Sequence, residues 1–136
     1  MENRRTFLGL AAASLLPIVL DAQTPPAQTA GELARHALTG PLEGFEAVLV
    51  QLTIPPGRAG SGTAHRHPGP VLGYVVEGQM RFAINHGTEQ ILREGGTFFE
   101  PSGAVHTTTG SARADGPTRA LVFMIVPKGS PLVSPE

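Results

Sequence analysis

Residues 71–110 read VLGYVVEGQMRFAINHGTEQILREGGTFFEPSGAVHTTTG, and the alternation and turns in this stretch decide the fold class. Met80, Phe82 and Ile84 alternate with Gln79, Arg81 and Ala83. A period of two builds a strand with one apolar face. Asn85-His86-Gly87 supplies a turn, and Thr88 to Arg93 returns as the hairpin partner. Upstream, Val71 to Val76 is an apolar run closed by Glu77-Gly78. Downstream, Glu94-Gly95-Gly96 turns the chain into a short strand, Thr97 to Glu100, and Pro101-Ser102-Gly103 turns it into another, Val105 to Thr109.

The same grammar extends outward. Glu46 to Ile54 is rich in Val, Leu and Ile and stops at Pro55-Pro56-Gly57; Arg119 to Val126 is the last strand. Short strands with regular turn punctuation imply an all-β sandwich or barrel, jelly rolls included. Composition agrees: 17 glycines and 13 prolines in 136 residues argue against a helical bundle, because both break helices. Gly31 to Leu38 fits a short helix or a strand leading into the fold, after a polar, Pro-rich linker over 23–30. The tail Pro127 to Glu136 holds three prolines and is expected to be loose. The division is therefore 1–22 signal segment, 23–45 linker and leading segment, 46–126 barrel and 127–136 flexible tail.

Several function classes fall away. With 10 basic and 11 acidic residues and no basic block, a nucleic-acid surface is not expected. The absence of cysteine excludes disulfides, thiolate metal sites and a cysteine nucleophile. The start of the chain reads as an address. Arg4-Arg5 precedes an uncharged run from Phe7 to Leu20, too short for a membrane span and suited to a signal-peptide core. Arg4-Arg5-Thr6-Phe7-Leu8 resembles the twin-arginine export signal, although Gly9 stands where Lys is common. Cleavage near Ala22-Gln23 would leave a periplasmic or secreted domain with no stable membrane insertion.

The histidines carry the chemistry. His65 and His67 are two apart, so on a strand both rings share one face. His106 begins a later strand that a small barrel can bring opposite the pair. Three neutral imidazoles suit Fe, Mn, Ni, Cu, Co or Zn and leave positions open for water or substrate. Strand histidines are also common as satisfied core or surface residues, and spacing alone does not separate these readings. Arg66, between the pair, should point away. Tyr74 should face away from the interior, whereas Phe82, Phe98 and Phe99 read as core, with one or two lining a pocket. His36 and His86 read as exposed.

Gly60 to Gly78 and Gly95 to His106 together resemble the two signature motifs of the cupin superfamily, G-x5-H-x-H-x3-4-E-x6-G and G-x5-P-x-G-x2-H-x3-N. His65, His67 and Gly78 match the first motif; Gly95, Pro101, Gly103 and His106 match the second. The resemblance spans 46–126 and implies a jelly-roll β-barrel with a metal in its mouth. Three departures stand out. Gly60 is one residue too close to His65, Val71 occupies the place of the motif Glu, and Gly110 that of the final Asn. Losing the carboxylate leaves more positive charge on a bound ion and favours Fe(II) over harder cations. Three-histidine sites of this kind resemble those of thiol, diketone-cleaving and gentisate-type dioxygenases. Glu100 is the candidate replacement: a fourth ligand, a general base, or a partner that orients a ligand ring. The alternatives are a strand-end Glu in solvent, or one paired with Arg58 or Arg66.

Three functions follow as expectations. The first is an exported Fe(II) oxidoreductase of dioxygenase type acting on a small organic substrate. The second is a non-catalytic cupin that binds a metal or small ligand. The third is a metal-dependent isomerase or lyase of a sugar or carbonyl compound, which tolerates Mn, Ni or Zn. Small single-barrel cupins usually pair, so a homodimer is expected.

Overall fold

The computed structural model of the protein describes residues 27–57 and 64–136. The expected signal segment 1–22, with Arg4-Arg5, lies outside the described residues, as do Arg58 and Gly60. Ten strands follow in order: β1 (Thr29–Ala37), β2 (Phe45–Ile54), β3 (His65–Arg66), β4 (Val71–Glu77), β5 (Gln79–Ile84), β6 (Gln90–Arg93), β7 (Thr97–Glu100), β8 (Val105–Ser111), β9 (Thr118–Pro127) and β10 (Ser134–Pro135). They form two five-stranded sheets, ordered β1-β2-β9-β4-β7 and β10-β3-β8-β5-β6, with every pairing antiparallel. The architecture is the all-β sandwich of jelly-roll type that the alternation predicts.

The core follows from strict alternation. In β2, Val48, Val50, Leu52 and Ile54 turn inward; in β9, Ala120, Val122, Met124 and Val126 do the same. Each fully buried side chain of this size contributes about 1.5–3 kcal/mol, an upper figure because the unfolded chain is not fully extended. From the second sheet, Met80 and Phe82 complete the cluster. Phe98 stacks on Phe82 with ring centroids 4.7 Å apart, but Phe99 is exposed rather than in the core, because adjacent strand residues face opposite ways. Tyr74 faces outward as expected.

The two ends differ from the sequence reading. The leading segment takes the strand alternative of the two the sequence left open, but it begins at Thr29, inside the stretch read as linker. It pairs along β2, and Arg35 pairs with Glu32 on its own strand and reaches across to Glu46 on β2. Part of the tail, which the sequence reading expects to be loose, is paired. Ser134 and Pro135 pair with Arg66 and His65, and Leu132 packs against the core, so an apolar side chain and a short ladder hold a segment that its prolines made look free.

Two local devices set the site. Asn85 and His86 both have positive φ, 52° and 55°, and form a tight turn closed by Gly87 N–H on the Ile84 carbonyl, inside the longer loop that joins β5 to β6. From that turn Asn85 Oδ1 accepts the Val105 N–H at 2.9 Å, and its own N–H donates to the Val105 carbonyl at 2.7 Å. The start of β8 is thereby clamped one residue before His106. Gly73 lies opposite Phe98 in the β4–β7 ladder, and a Cβ there would stand 1.9 Å from the Phe98 ring. Replacing Gly73 by Ala should destabilise the fold by about 1–3 kcal/mol through overpacking. Thermal unfolding checks this, and adding Phe98→Leu should restore part of the loss.

Candidate metal centre

His65 and His106 are directly paired across β3 and β8, so both rings project from the same face of one sheet. His67 follows two residues after His65 and joins them. Their donor nitrogens all lie within 4.8 Å of one another, and the Nε2 atoms of His65 and His67 are 3.2 Å apart. Two ligands of one ion, each at ~2.1 Å and at right angles, are separated by ~3 Å. The pair is therefore spaced for a shared ion, and His106 brings its donor nitrogen to within 4.8 Å of both.

The rings are prepared to act as ligands. His67 sets its Nδ1 2.7 Å from the Leu132 carbonyl. A carbonyl only accepts, so the proton sits on Nδ1 and the lone pair is left on Nε2, facing the other histidines. Burial holds the His67 ring below its ordinary pKa, with the charge of His65 adding to the effect. Burial also pushes His106 down to about 4, helped by His65 and His67. Both rings are neutral at pH 7, the form that binds metal.

Glu100 ends β7 among these rings. It is 2% exposed, so the solvent-exposed reading does not hold. Its Oε1 lies 3.2 Å from His106 Nδ1 and its Oε2 lies 3.8 Å from His67 Nε2. Arg66 does not pair with it: that guanidinium points away, as its position between the ligands requires, and donates to the Gly103 carbonyl. Arg58 lies outside the described residues. Burial pushes the Glu100 carboxyl up to about 7. A divalent cation reverses this balance by favouring the ionised form. The donor set fits a metal: three imidazoles and one buried carboxylate oxygen that has no hydrogen-bond partner among the described residues.

A cavity of about 280 Å³ opens onto these groups. Its walls are largely apolar, with Val50, Leu52, Met80, Phe98 and Met124 from the sandwich interior and Leu132 and Val133 from the C-terminal segment. Among the sequence candidates, His65, His67, His106 and Glu100 come together here. His36 is exposed on β1, and His86 sits in the hairpin turn, its Nε2 3.1 Å from Glu136.

Two further groups were not legible beforehand. Thr109 places its hydroxyl 2.9 Å from His106 Nε2. Three residues apart on a regular strand, the two would face opposite ways. A bulge corrects the parity: Ala83 pairs with Thr108 and Ile84 with His106, leaving Thr107 as the extra residue. The other is the Leu132 carbonyl, a backbone atom with no sequence signature, brought from the far end of the chain.

Comparison with known proteins gives the family and the fold. The family model for the cupin domain matches residues 50–125. The chain is a cupin. No curated protein matches it in sequence. Solved structures share its fold. A conserved double-stranded β-helix protein of uncharacterised function from Klebsiella pneumoniae aligns over 80% of this chain and 85% of its own, with TM-score 0.60 and 15% identity. An oxalate oxidase in complex with glycolate aligns over 82% of this chain and 56% of its own, with TM-score 0.58 and 19% identity. A DMSP lyase from Ruegeria pomeroyi aligns over 65% of this chain at 22% identity, with TM-score 0.54. The cupin spans only 42% of that lyase's length.

The C-terminal segment yields a prediction. A chain ending at Ser130 loses the Leu132 carbonyl and the Leu132 and Val133 pocket walls. Its affinity for a divalent ion should fall about 10–100-fold, the usual effect of losing a group that orients a ligand ring. The metal-free form should still unfold cooperatively. Competition with a chelator and a thermal melt check both halves.

Proposed function

We propose that this cupin is an exported metalloprotein that binds one divalent ion, Fe(II) by preference, through His65, His67 and His106. Its activity is that of an O2-dependent oxidoreductase of dioxygenase type on a small organic substrate. The observation that carries this reading is the convergence of three imidazoles, with half-buried His67 and buried His106 held below the ordinary imidazole pKa, on a small apolar cavity. A bound Fe(II) ion supplies Lewis acidity and one-electron chemistry at positions left open beside the protein ligands. The chain's own residues do the rest. Leu132 and Thr109 orient the rings of His67 and His106. Val50, Leu52, Phe98 and Met124 hold the apolar part of the substrate and keep bulk water out. Glu100 brings a carboxylate to the same wall. The cavity volume limits the substrate to a small molecule.

Elemental analysis of the mature protein, isolated from the periplasm without added metal, tests the reading. Near-stoichiometric iron, O2 uptake with a small substrate and an N-terminus at Gln23 are expected. Single His65→Ala, His67→Ala and His106→Ala changes should each lower the metal content sharply. Zinc, nickel or manganese with turnover that ignores O2 would replace this reading with an isomerase or lyase. A metal-free protein that takes up none on titration would leave a binding module.

The cupin acts as a homodimer in this proposal. Leu72, flanked in register by Phe99 and Phe123, forms an apolar patch on the outer face of the first sheet, extended by Tyr74 and Val76. Contiguous exposed patches of this kind mark protein contacts. Sedimentation should give twice the chain mass, and Leu72→Glu should return the protein to a monomer. A wild-type monomer at micromolar concentration would refute the dimer.

A further inference from the structure

Val71, the residue that replaces the motif carboxylate, lies directly opposite Glu100 in the β4–β7 ladder. Residues paired across an antiparallel ladder project from the same face with their Cβ atoms ~5 Å apart. Val71 is fully buried, and Glu100 is 2% exposed. A carboxylate offered from position 100 therefore enters the space that a carboxylate at 71 would enter.

The surroundings of Glu100 call for a cation. A buried carboxyl with an unbonded oxygen is costly unless something compensates it. Among the described residues, Oε2 has no hydrogen-bond partner and no Lys or Arg lines the cavity. What surrounds the carboxyl instead is the histidine cluster, with Oε1 3.2 Å from His106 Nδ1 and Oε2 3.8 Å from His67 Nε2.

We propose that Glu100 is the fourth protein ligand of the metal, its carboxylate moved across the ladder from strand β4 to strand β7. The inference rests on the three-histidine reading above and extends it. The donor set becomes three nitrogens and one oxygen, and the ligated Fe(II) carries one positive charge fewer than with histidines alone. An oxygen donor of this kind also admits Mn(II).

Mn(II) and Co(II) binding to the purified full chain test the assignment, with dissociation constants from chelator competition and the visible d–d spectrum of bound Co(II) as a readout of the ligand set. Glu100→Gln and Glu100→Val should each weaken Mn(II) binding by roughly tenfold or more and change the Co(II) spectrum. Moving the carboxylate back, in V71E/E100V, should recover most of the affinity lost in Glu100→Val. His65→Ala serves as the control that abolishes binding. Wild-type affinity and an unchanged Co(II) spectrum in Glu100→Gln, with binding lost in His65→Ala, would overturn the assignment while leaving the three-histidine site intact. Wild-type binding in His65→Ala would overturn both. If the double variant does not fold, Glu100→Gln, nearly isosteric with the native side chain, decides alone.

Discussion

Between two apolar sheets, the Glu100 carboxyl stands 3.2 Å from His106 Nδ1 while its other oxygen has no hydrogen-bond partner among the described residues. Removing such a group from water costs several kcal/mol unless charge or hydrogen bonds compensate it. The same burial that raises the carboxyl toward neutrality lowers the neighbouring imidazoles. One environment thus prepares both kinds of donor for a cation: neutral rings with available lone pairs, and a carboxylate that becomes fully charged when a cation is beside it. Around this constraint the rest of the site is arranged.

The sandwich makes that environment by simple means. Long, strictly alternating β2 and β9 supply an apolar floor. Gly73 leaves room for the Phe98 ring, which then forms a wall of the cavity. The hairpin turn at Asn85 clamps Val105, and the bulge after Ala83 places His106 and Thr109 on one face. The tail closes the arrangement from outside: β10 pairs with the strand that bears His65, and the Leu132 carbonyl selects the tautomer of His67. Fold and ligand chemistry are therefore coupled through backbone atoms as much as through side chains.

Much of this was legible in the chain. The period of two in Met80, Phe82 and Ile84, and the turn residues between runs, identified the strands to within a residue or two in most cases. The spacing of His65 and His67 put two rings on one face, and the match of His106 to the second motif named the third. Errors fell where local pattern is silent. Phe99 reads as core because it is aromatic, but its parity next to Phe98 sends it outward. In the tail, whose prolines point to a loose end, two residues of ladder and the partly buried Leu132 side chain make contacts that no local pattern announces.

The sequence by itself determined the all-β class, the cupin resemblance and the three histidines, because these depend on periodicity and spacing along the chain. Tertiary structure alone decided how Glu100 stands toward Val71, how the bulge turns Thr109 toward His106, and which backbone carbonyl meets His67. Those depend on register between strands far apart in the chain, and register is set by the packing of whole sheets rather than by any local run of residues.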